Sequence, residues 1–272
     1  MDVVSKKVKK AEYNEKINVY KQKIEDITKN NKIIEKEVLK NSALSNYGRL
    51  SIANNNLNII ALYCTMSDIS SELLGFKNET FLNNGRKLLY KVFSILEEIV
   101  GKDIDALLSE TSEKVKSIRK LDDRKKLNFF YKIKDALHSV ITRFGDNSKW
   151  KWSFVDLEGE ATIVMKNMID FKLMQKDRDP RKEGYVEREE LLKMIKDDLK
   201  KASTGYREKY EMVTHEPAEM KKAILFLSAL YRIHVLFHEV NEAESTKKNI
   251  VIWQEKLDAD LKAEEERRKR KK

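Results

Sequence analysis

Cysteine, glycine and proline are scarce in this sequence, and their scarcity excludes several classes of protein. The 272 residues include one cysteine, two prolines and eight glycines. A single thiol, that of Cys64, cannot form a disulfide within the chain, so a disulfide framework is excluded and a reducing compartment is expected. Few helix breakers, together with 37% charged residues, are typical of long helices with solvated faces. The composition therefore predicts an all-α protein.

Sequence motifs for targeting, cofactors and catalysis are also missing. Four lysines precede Glu12 without an apolar run behind them, which is unlike a secretory signal and favours a cytoplasmic location. The glycines are isolated and build no phosphate-binding loop. Asp135-x-x-His138 is a single motif where a di-metal bundle needs two, and His215-Glu216 lacks the second histidine of a zinc protease. We therefore expect no enzymatic activity, no metal and no cofactor.

The stretch Pro217–Val240 is apolar on nearly every side: between positions 223 and 237 its polar side chains are Ser228, Arg232 and His234. A helix of this kind has to be surrounded by other helices. We predict that residues 217–243 form the central helix of an elongated helical bundle. A membrane span is the alternative, although it would place Arg232 and His234 in hydrocarbon.

Two histidines near the end of this stretch are the first candidates for a site, should the protein be an enzyme after all. His234 and His238 stand four residues apart, with Glu239 and Glu242 just beyond, and such a spacing can hold a metal ion. No third ligand is placed by local spacing. Two histidines packed beside a polar seam are therefore the preferred interpretation.

The N-terminal 40 residues carry a heptad pattern, in which apolar side chains recur at alternating spacings of four and three. This pattern is typical of a coiled-coil seam, and a polar asparagine at an a position of the seam fixes register and strand number. We predict that residues 1–44 form a coiled-coil arm that binds a protein partner or a second copy. The alternative is an amphipathic helix lying on the protein's own core. The predicted partner-binding residues, named the heptad stripe below, are Tyr13, Ile17, Tyr20, Ile24, Ile27, Asn31, Ile34 and Val38.

Apolar periodicity and helix caps predict the elements that follow the arm. A helix over 57–74 is expected to end at Gly75. Asn78 is a plausible N-cap of the next helix, which Gly101 closes. A long helix is predicted without interruption over 112–144.

The passage Lys149–Glu160 is the least helix-like of the sequence. Apolar Trp150 and Trp152 alternate with polar residues, which predicts an extended plug of the core ending at Ser153 as an N-cap. Anchoring of a partner by the two tryptophans is the alternative. The last helix is expected to start near Ser245.

These patterns divide the chain into four segments. The arm, 1–44, is followed by a first part of the bundle, 45–176. A second part, 185–262, contains the central helix, and it is followed by a basic tail, 263–272, whose final residues 267–272 have nothing to pack with.

The net charge of +10 is concentrated at the two ends of the chain. Residues 1–40 contribute +4, whereas residues 41–266 carry 38 basic and 38 acidic side chains. This distribution argues against a basic groove across the fold and favours terminal arms that meet something anionic. The predicted anion-binding residues, which contribute +6, are Arg267, Arg268, Lys269, Arg270, Lys271 and Lys272. An antiparallel pairing of residues 13–38 with residues 250–261 is a further hypothesis, which would bring both basic ends to one tip.

The function that these features favour is that of a non-enzymatic helical scaffold or adaptor, which assembles through coiled-coil contacts with itself or with a larger protein complex. The alternative is a nucleic-acid-associated protein whose basic termini neutralise phosphates without reading sequence. Attachment of the tail to an anionic membrane surface is a third option.

Overall fold

A computed structural model of the chain describes residues 3–40, 45–145 and 148–270. Every regular element in these ranges is helical, which confirms the all-α fold class and the long N-terminal helix. None of the described helices combines the length and the apolar character that crossing a bilayer demands. The predicted boundary at residue 44 lies outside the described residues, as do Lys271 and Lys272 of the tail. The α-helices are α1 Val3–Lys40, α2 Ser45–Leu74, α3 Glu79–Val100, α4 Leu108–Lys116, α5 Asp123–Phe144, α6 Lys151–Asn167, α7 Phe171–Lys176, α8 Tyr185–Lys209, α9 Pro217–Leu236 and α10 Val240–Arg270.

The helices assemble into two compact units, each built from segments that are distant in sequence. Unit 1 comprises Met1–Gly101 and Asn128–Lys151, and unit 2 comprises Lys102–Leu127 and Trp152–Lys272. The helix α5 contributes its first turn to unit 2 and the remainder to unit 1.

In unit 1, α2 is the middle helix. It packs along α1 and along α3. The part of α5 that belongs to unit 1 is tied to α2 by polar contacts: Lys132 Nζ donates to Asn54 Oδ1 at 2.6 Å, and Arg143 Nη2 lies 2.7 Å from Asp68 Oδ2. Cys64 of α2 is 3% exposed, and burial raises the pKa of its thiol to about 11, so the thiol stays protonated and unreactive at neutral pH.

The predicted C-terminal ends of α2 and α3 and the N-cap of α3 are confirmed, whereas the predicted start at residue 57 is wrong because α2 begins at Ser45. The Asn78 side chain accepts a hydrogen bond from the backbone N–H of Thr80 at 3.0 Å and caps α3. Gly75 and Gly101 follow α2 and α3 with φ of 75° and 84°, which is the left-handed region that glycine adopts without strain.

The uninterrupted helix predicted over 112–144 is wrong, because residues 117–122 separate α4 from α5. The Asp122 carboxylate accepts a hydrogen bond from the backbone N–H of Lys125 at 2.8 Å, which is how an N-cap starts a new helix. Ile118 of the break is 1% exposed, so the connection itself is part of the core of unit 2.

The extended plug predicted for residues 149–160 is also wrong, because α6 begins at Lys151. Ser148, just before the helix, accepts a hydrogen bond from the backbone N–H of Trp150 at 3.2 Å. Trp150 packs under Arg86, whose guanidinium carbon lies 3.7 Å from the ring centroid, and Phe154 is 5% exposed. The aromatic residues thus alternate because Trp150 packs just before the start of α6 and Phe154 packs just after it.

The helix α9 packs between α8 and α10 in unit 2, but it ends at Leu236 and not at residue 243. The chain turns at His238, which has a left-handed φ of 59°, and α10 starts at Val240 rather than near Ser245. Exposed fractions of 37% for Leu225 and 49% for Val235 show that α9 is not enclosed on every side.

Close packing of α6 on α8 depends on a glycine. A Cβ atom on Gly159 would lie 2.5 Å from the Tyr206 hydroxyl oxygen, so only glycine leaves room for this ring. Tyr206 also stacks on Phe226 of α9 with ring centroids 5.4 Å apart. Burial raises the pKa of Tyr206, and the phenol therefore stays neutral.

A buried lysine in unit 2 was not predicted. Lys166 of α6 is 1% exposed, and its Nζ donates to the carbonyl oxygen of Ile104 at 2.8 Å and to Asn167 Oδ1 at 3.2 Å. Burial first, and then repulsion by Arg232, lower the pKa of Lys166 to about 8. In the described part of the chain Lys166 has no carboxylate as a hydrogen-bond partner, and Asp105, whose charge raises the pKa, is itself bound by Arg232 at 2.6 Å.

We predict that Lys166 makes the folding stability rise with pH. Above pH 8 the folded lysine loses its proton while the unfolded one keeps its charge to about pH 10.5, so the unfolded state binds more protons. Between pH 7 and pH 10 the Lys166 contribution is expected to become more favourable by about 2 kcal/mol. Urea unfolding of wild type and Lys166→Met over this range measures the difference in slope. Equal slopes in the two proteins would contradict the lowered pKa.

Candidate interaction surface

The heptad stripe faces α2 of the same chain. Ile17 and Asn31 are buried, the other six stripe residues are half-buried, and every other side chain from Lys10 to Lys40 is exposed. The sequence left two interpretations of α1 open. In the structure α1 is an amphipathic helix that packs on its own chain, which corrects the expectation of an arm that projects away from the rest of the protein. The periodicity nevertheless identified the packed face of α1 residue by residue.

The helices α1 and α2 form a helical hairpin, in which they run antiparallel. Ile17 packs with Met66 and Ile69 near one end. At the other end, a Cβ atom on Gly48 would lie 2.2 Å from Val38 Cγ2, so the helices approach closely there. The heptad stripe is thus used along its whole length.

Asn31 is the polar centre of the hairpin. Its amide nitrogen donates to Asn56 Oδ1 at 3.0 Å, and its amide oxygen accepts from Asn55 Nδ2 at 2.8 Å. Because only one alignment of α1 on α2 brings these amides together, Asn31 sets the register within the chain. The sequence identified the residue and its role, but not its partners.

Two open grooves lie on one flank of the hairpin, beside the heptad stripe. Their α1 residues Lys23, Asp26, Glu37 and Lys40 follow helical spacing and share one side of the helix. The first groove, of 530 Å³, is lined by Lys23, Asp26, Ile27, Asn58, Ala61 and Leu62. The second groove, of 510 Å³, is lined by Ile34, Glu37, Val38, Lys40, Tyr47, Gly48 and Ser51. We name this side of α1 and α2, with its two grooves, the groove flank.

The basic end of the chain is a continuation of α10 up to Arg270. All side chains from Leu261 to Lys269 are exposed. Arg268 is paired with Glu264, and Lys269 Nζ lies 2.7 Å from Glu265 Oε1, one helical turn back in each case. These pairs stabilise the helix and reduce the charge that the predicted anion-binding residues present.

The predicted histidine pair is not brought together. His238 is exposed in the turn after α9, whereas His234 is buried and its Nδ1 lies 2.6 Å from Glu239 Oε2. Lys196 of α8 donates to the same carboxylate at 2.7 Å. Burial alone would raise the pKa of Glu239, but the hydrogen bonds from Lys196 and His234 lower it. No sequence signal pointed to Lys196, which lies more than 40 residues upstream.

His234 lines a cleft of 490 Å³ between α8, α9 and α10, with Ser203, Thr246 and Trp253 among its walls. The hydroxyls of Ser203 and Thr246 donate to carbonyls of their own helices. In the described part of the chain no three histidine, cysteine or acidic side chains are grouped so that they could hold a metal ion.

Comparisons with known proteins relate the chain to one family. The TP0443 family matches residues 9–261. No curated protein matches the chain. A solved structure from the computational design of self-assembling cyclic protein homo-oligomers is 14% identical, with a TM-score of 0.30, and the alignment covers 92% of this chain and 99% of the designed chain.

We predict that replacing Asn31 by leucine destabilises the protein although the position lies in an apolar seam. The substitution leaves the half-buried amide of Asn55 and the buried amide of Asn56 without their partner, which is expected to lower the unfolding free energy by about 2 kcal/mol. Urea unfolding measures this, with Asn18→Leu at an exposed position on the outer face of α1 as the matched control. A gain in stability for Asn31→Leu would show that the amide contacts do not form.

Proposed function

The chain belongs to the TP0443 family, and we propose that it acts as a non-enzymatic helical scaffold, which receives a helix of another protein molecule along the groove flank. The observation that carries this proposal is the incomplete cover of the heptad stripe. Six of its eight residues stay half-buried although α2 packs along their whole length. A bundle normally covers such a seam with helices on both sides.

The neighbours of α1 support the proposal. Its 38 residues extend for about 57 Å, and α2 is the helix against which it packs extensively. Most of the circumference of α1 is therefore exposed, including Val19 at 51% and Ile33 at 57% on the side of the grooves. Apolar side chains at these positions favour a helical partner over water.

The form of the grooves indicates the chemistry of the occupant. Both are open and shallow, and their apolar floor is made by Ile27 and Leu62 in one and by Ile34 and Val38 in the other. Ile27 and Val38 are eleven residues apart, which is three helical turns or about 16 Å. An amphipathic helix with apolar residues at matching spacing fits both grooves at once.

The alternative of a nucleic-acid-associated protein has less support from the arrangement of charges. Arg268 and Lys269 already have acidic partners on α10, so fewer of the basic side chains remain for phosphates. The groove flank itself carries both signs, with Lys23 and Lys40 beside Asp26 and Glu37.

A photo-reactive amino acid at Ala61, in the first groove, is expected to cross-link in cells to a helical segment of a protein. Ser51→Glu, which places a carboxylate beside the apolar floor of the second groove, is expected to reduce the adduct about tenfold, because the same helix occupies both grooves. Mass spectrometry of the adducts measures both effects in the full-length chain.

The matched control is Ser71→Glu, the same change at an exposed position of α2 away from the grooves. The proposal is overturned if the probe at Ala61 gives no adduct beyond that of a probe at Lys36 on the outer face of α1. It is also overturned if Ser51→Glu and Ser71→Glu have the same effect.

A further inference from the structure

We infer that the helix received by the groove flank is α1 of a second copy of this chain, in an antiparallel arrangement whose two-fold axis passes beside Asn30. This inference rests on the proposed function and names the occupant of the same surface. It follows from three features of α1 that are symmetric about Asn30: two charges, two isoleucines and the two grooves.

The charges are Lys23 and Glu37, each seven residues from Asn30 and both exposed on the groove flank. Neither forms an ion pair among the described residues, and Lys23 instead lies over the Tyr20 ring at 5.4 Å. An antiparallel two-fold at Asn30 brings Lys23 of each copy opposite Glu37 of the other, which gives two intermolecular ion pairs.

Some of the charged residues of α1 already have partners on the same helix. Lys16 pairs with Glu12 and Lys29 pairs with Glu25, each at 2.8 Å and one turn away. Such pairs stabilise a helix locally. Lys23 and Glu37 have no such pair in the described chain, and they are oppositely charged residues of the groove flank at equal distances from Asn30.

The apolar residues obey the same symmetry. Ile27 is half-buried in the first groove, and Ile33 is 57% exposed on the groove flank. Each is three residues from Asn30, so the two-fold brings Ile27 of one copy level with Ile33 of the other, at the two edges of the interface. It also places the first groove of each copy against the second groove of the other, and the Asn30 side chains of the two copies face each other at the axis.

Other arrangements of α1 lose this complementarity. A parallel pair in register puts Lys23 against Lys23 and Glu37 against Glu37, which is repulsive at both sites. A helix of an unrelated protein has no reason to match a pattern that is symmetric within α1. A self-complementary patch is what an isologous dimer requires.

The area of the proposed dimer interface indicates how tightly the two copies are expected to associate. The overlap from Tyr20 to Lys40 is about 30 Å long and a two-helix face is about 20 Å wide, so each copy buries about 600 Å². This is near the lower limit for specific protein interfaces. A reversible dimer that dissociates on dilution is therefore expected.

Sedimentation equilibrium of the full-length protein over a concentration series tests the inference. Lys23→Glu and Glu37→Lys each turn both ion pairs into repulsions, and each is expected to raise the dimer dissociation constant about tenfold. An equimolar mixture of the two variants is expected to dimerise as well as wild type, because the mixed pair regains opposite charges at both sites. Lys36→Glu, the same charge change on the outer face of α1, is expected to have no effect.

The outcomes separate this inference from the proposed function. If the protein stays monomeric at all concentrations while the probe at Ala61 cross-links to a different protein, the inferred dimer is wrong and the proposed scaffold function stands. A dimer whose single variants behave as wild type, or whose mixture gains nothing, overturns the two-fold at Asn30. A monomer without adducts overturns both. Circular dichroism of each variant verifies that the helices are intact.

Discussion

The burial of one apolar stripe on α1 by a single neighbouring helix is the constraint from which the interaction surface follows. A two-helix hairpin covers its seam from one direction, so side chains such as Ile27, Ile34 and Val38 remain half-buried and grooves form beside them. The close approach at Gly48 and the amide contacts of Asn31 hold α1 in one register. The groove flank is therefore a rigid surface rather than the side of a loose helix.

Local patterns predicted what depends on local physics. Heptad spacing located the packed face of α1, and Asn78 and Gly101 marked the ends of α3, because periodicity and caps act within a few residues. The same information does not tell whether a seam meets a neighbour in the same chain or in another molecule. The alternatives for the N-terminal helix were both compatible with the heptads, and only the position of α2 distinguishes them.

The features that the sequence predicted wrongly or did not predict have physical causes of two kinds. Where helices break, a single side chain decides. Asp122 caps α5 in the middle of a stretch with continuous helical periodicity, and the Ser148 hydroxyl accepts a hydrogen bond just before α6, in the passage that the alternation of aromatic residues predicts as extended. Where polar groups are buried, the partners come from distant segments. Lys209 of α8 lies 2.9 Å from Asp156 of α6 and 3.1 Å from Glu219 of α9, and no spacing within one helix announces such a contact.

The charge at the ends of the chain favours an antiparallel assembly over a parallel one. Lys7 and Lys10 are exposed near the start of α1, where the net positive charge of the first 40 residues is concentrated. In a parallel pair these ends would lie side by side, within the distance of about 8 Å over which charges interact at physiological salt. In the antiparallel pair each end is 23 residues from Asn30, or about 35 Å, so the two ends lie about 70 Å apart and do not repel. The ion pairs near the two-fold axis and the separation of the basic ends thus both favour the antiparallel arrangement of α1. A scaffold of this kind would present its two basic ends to partners at opposite ends of the dimer.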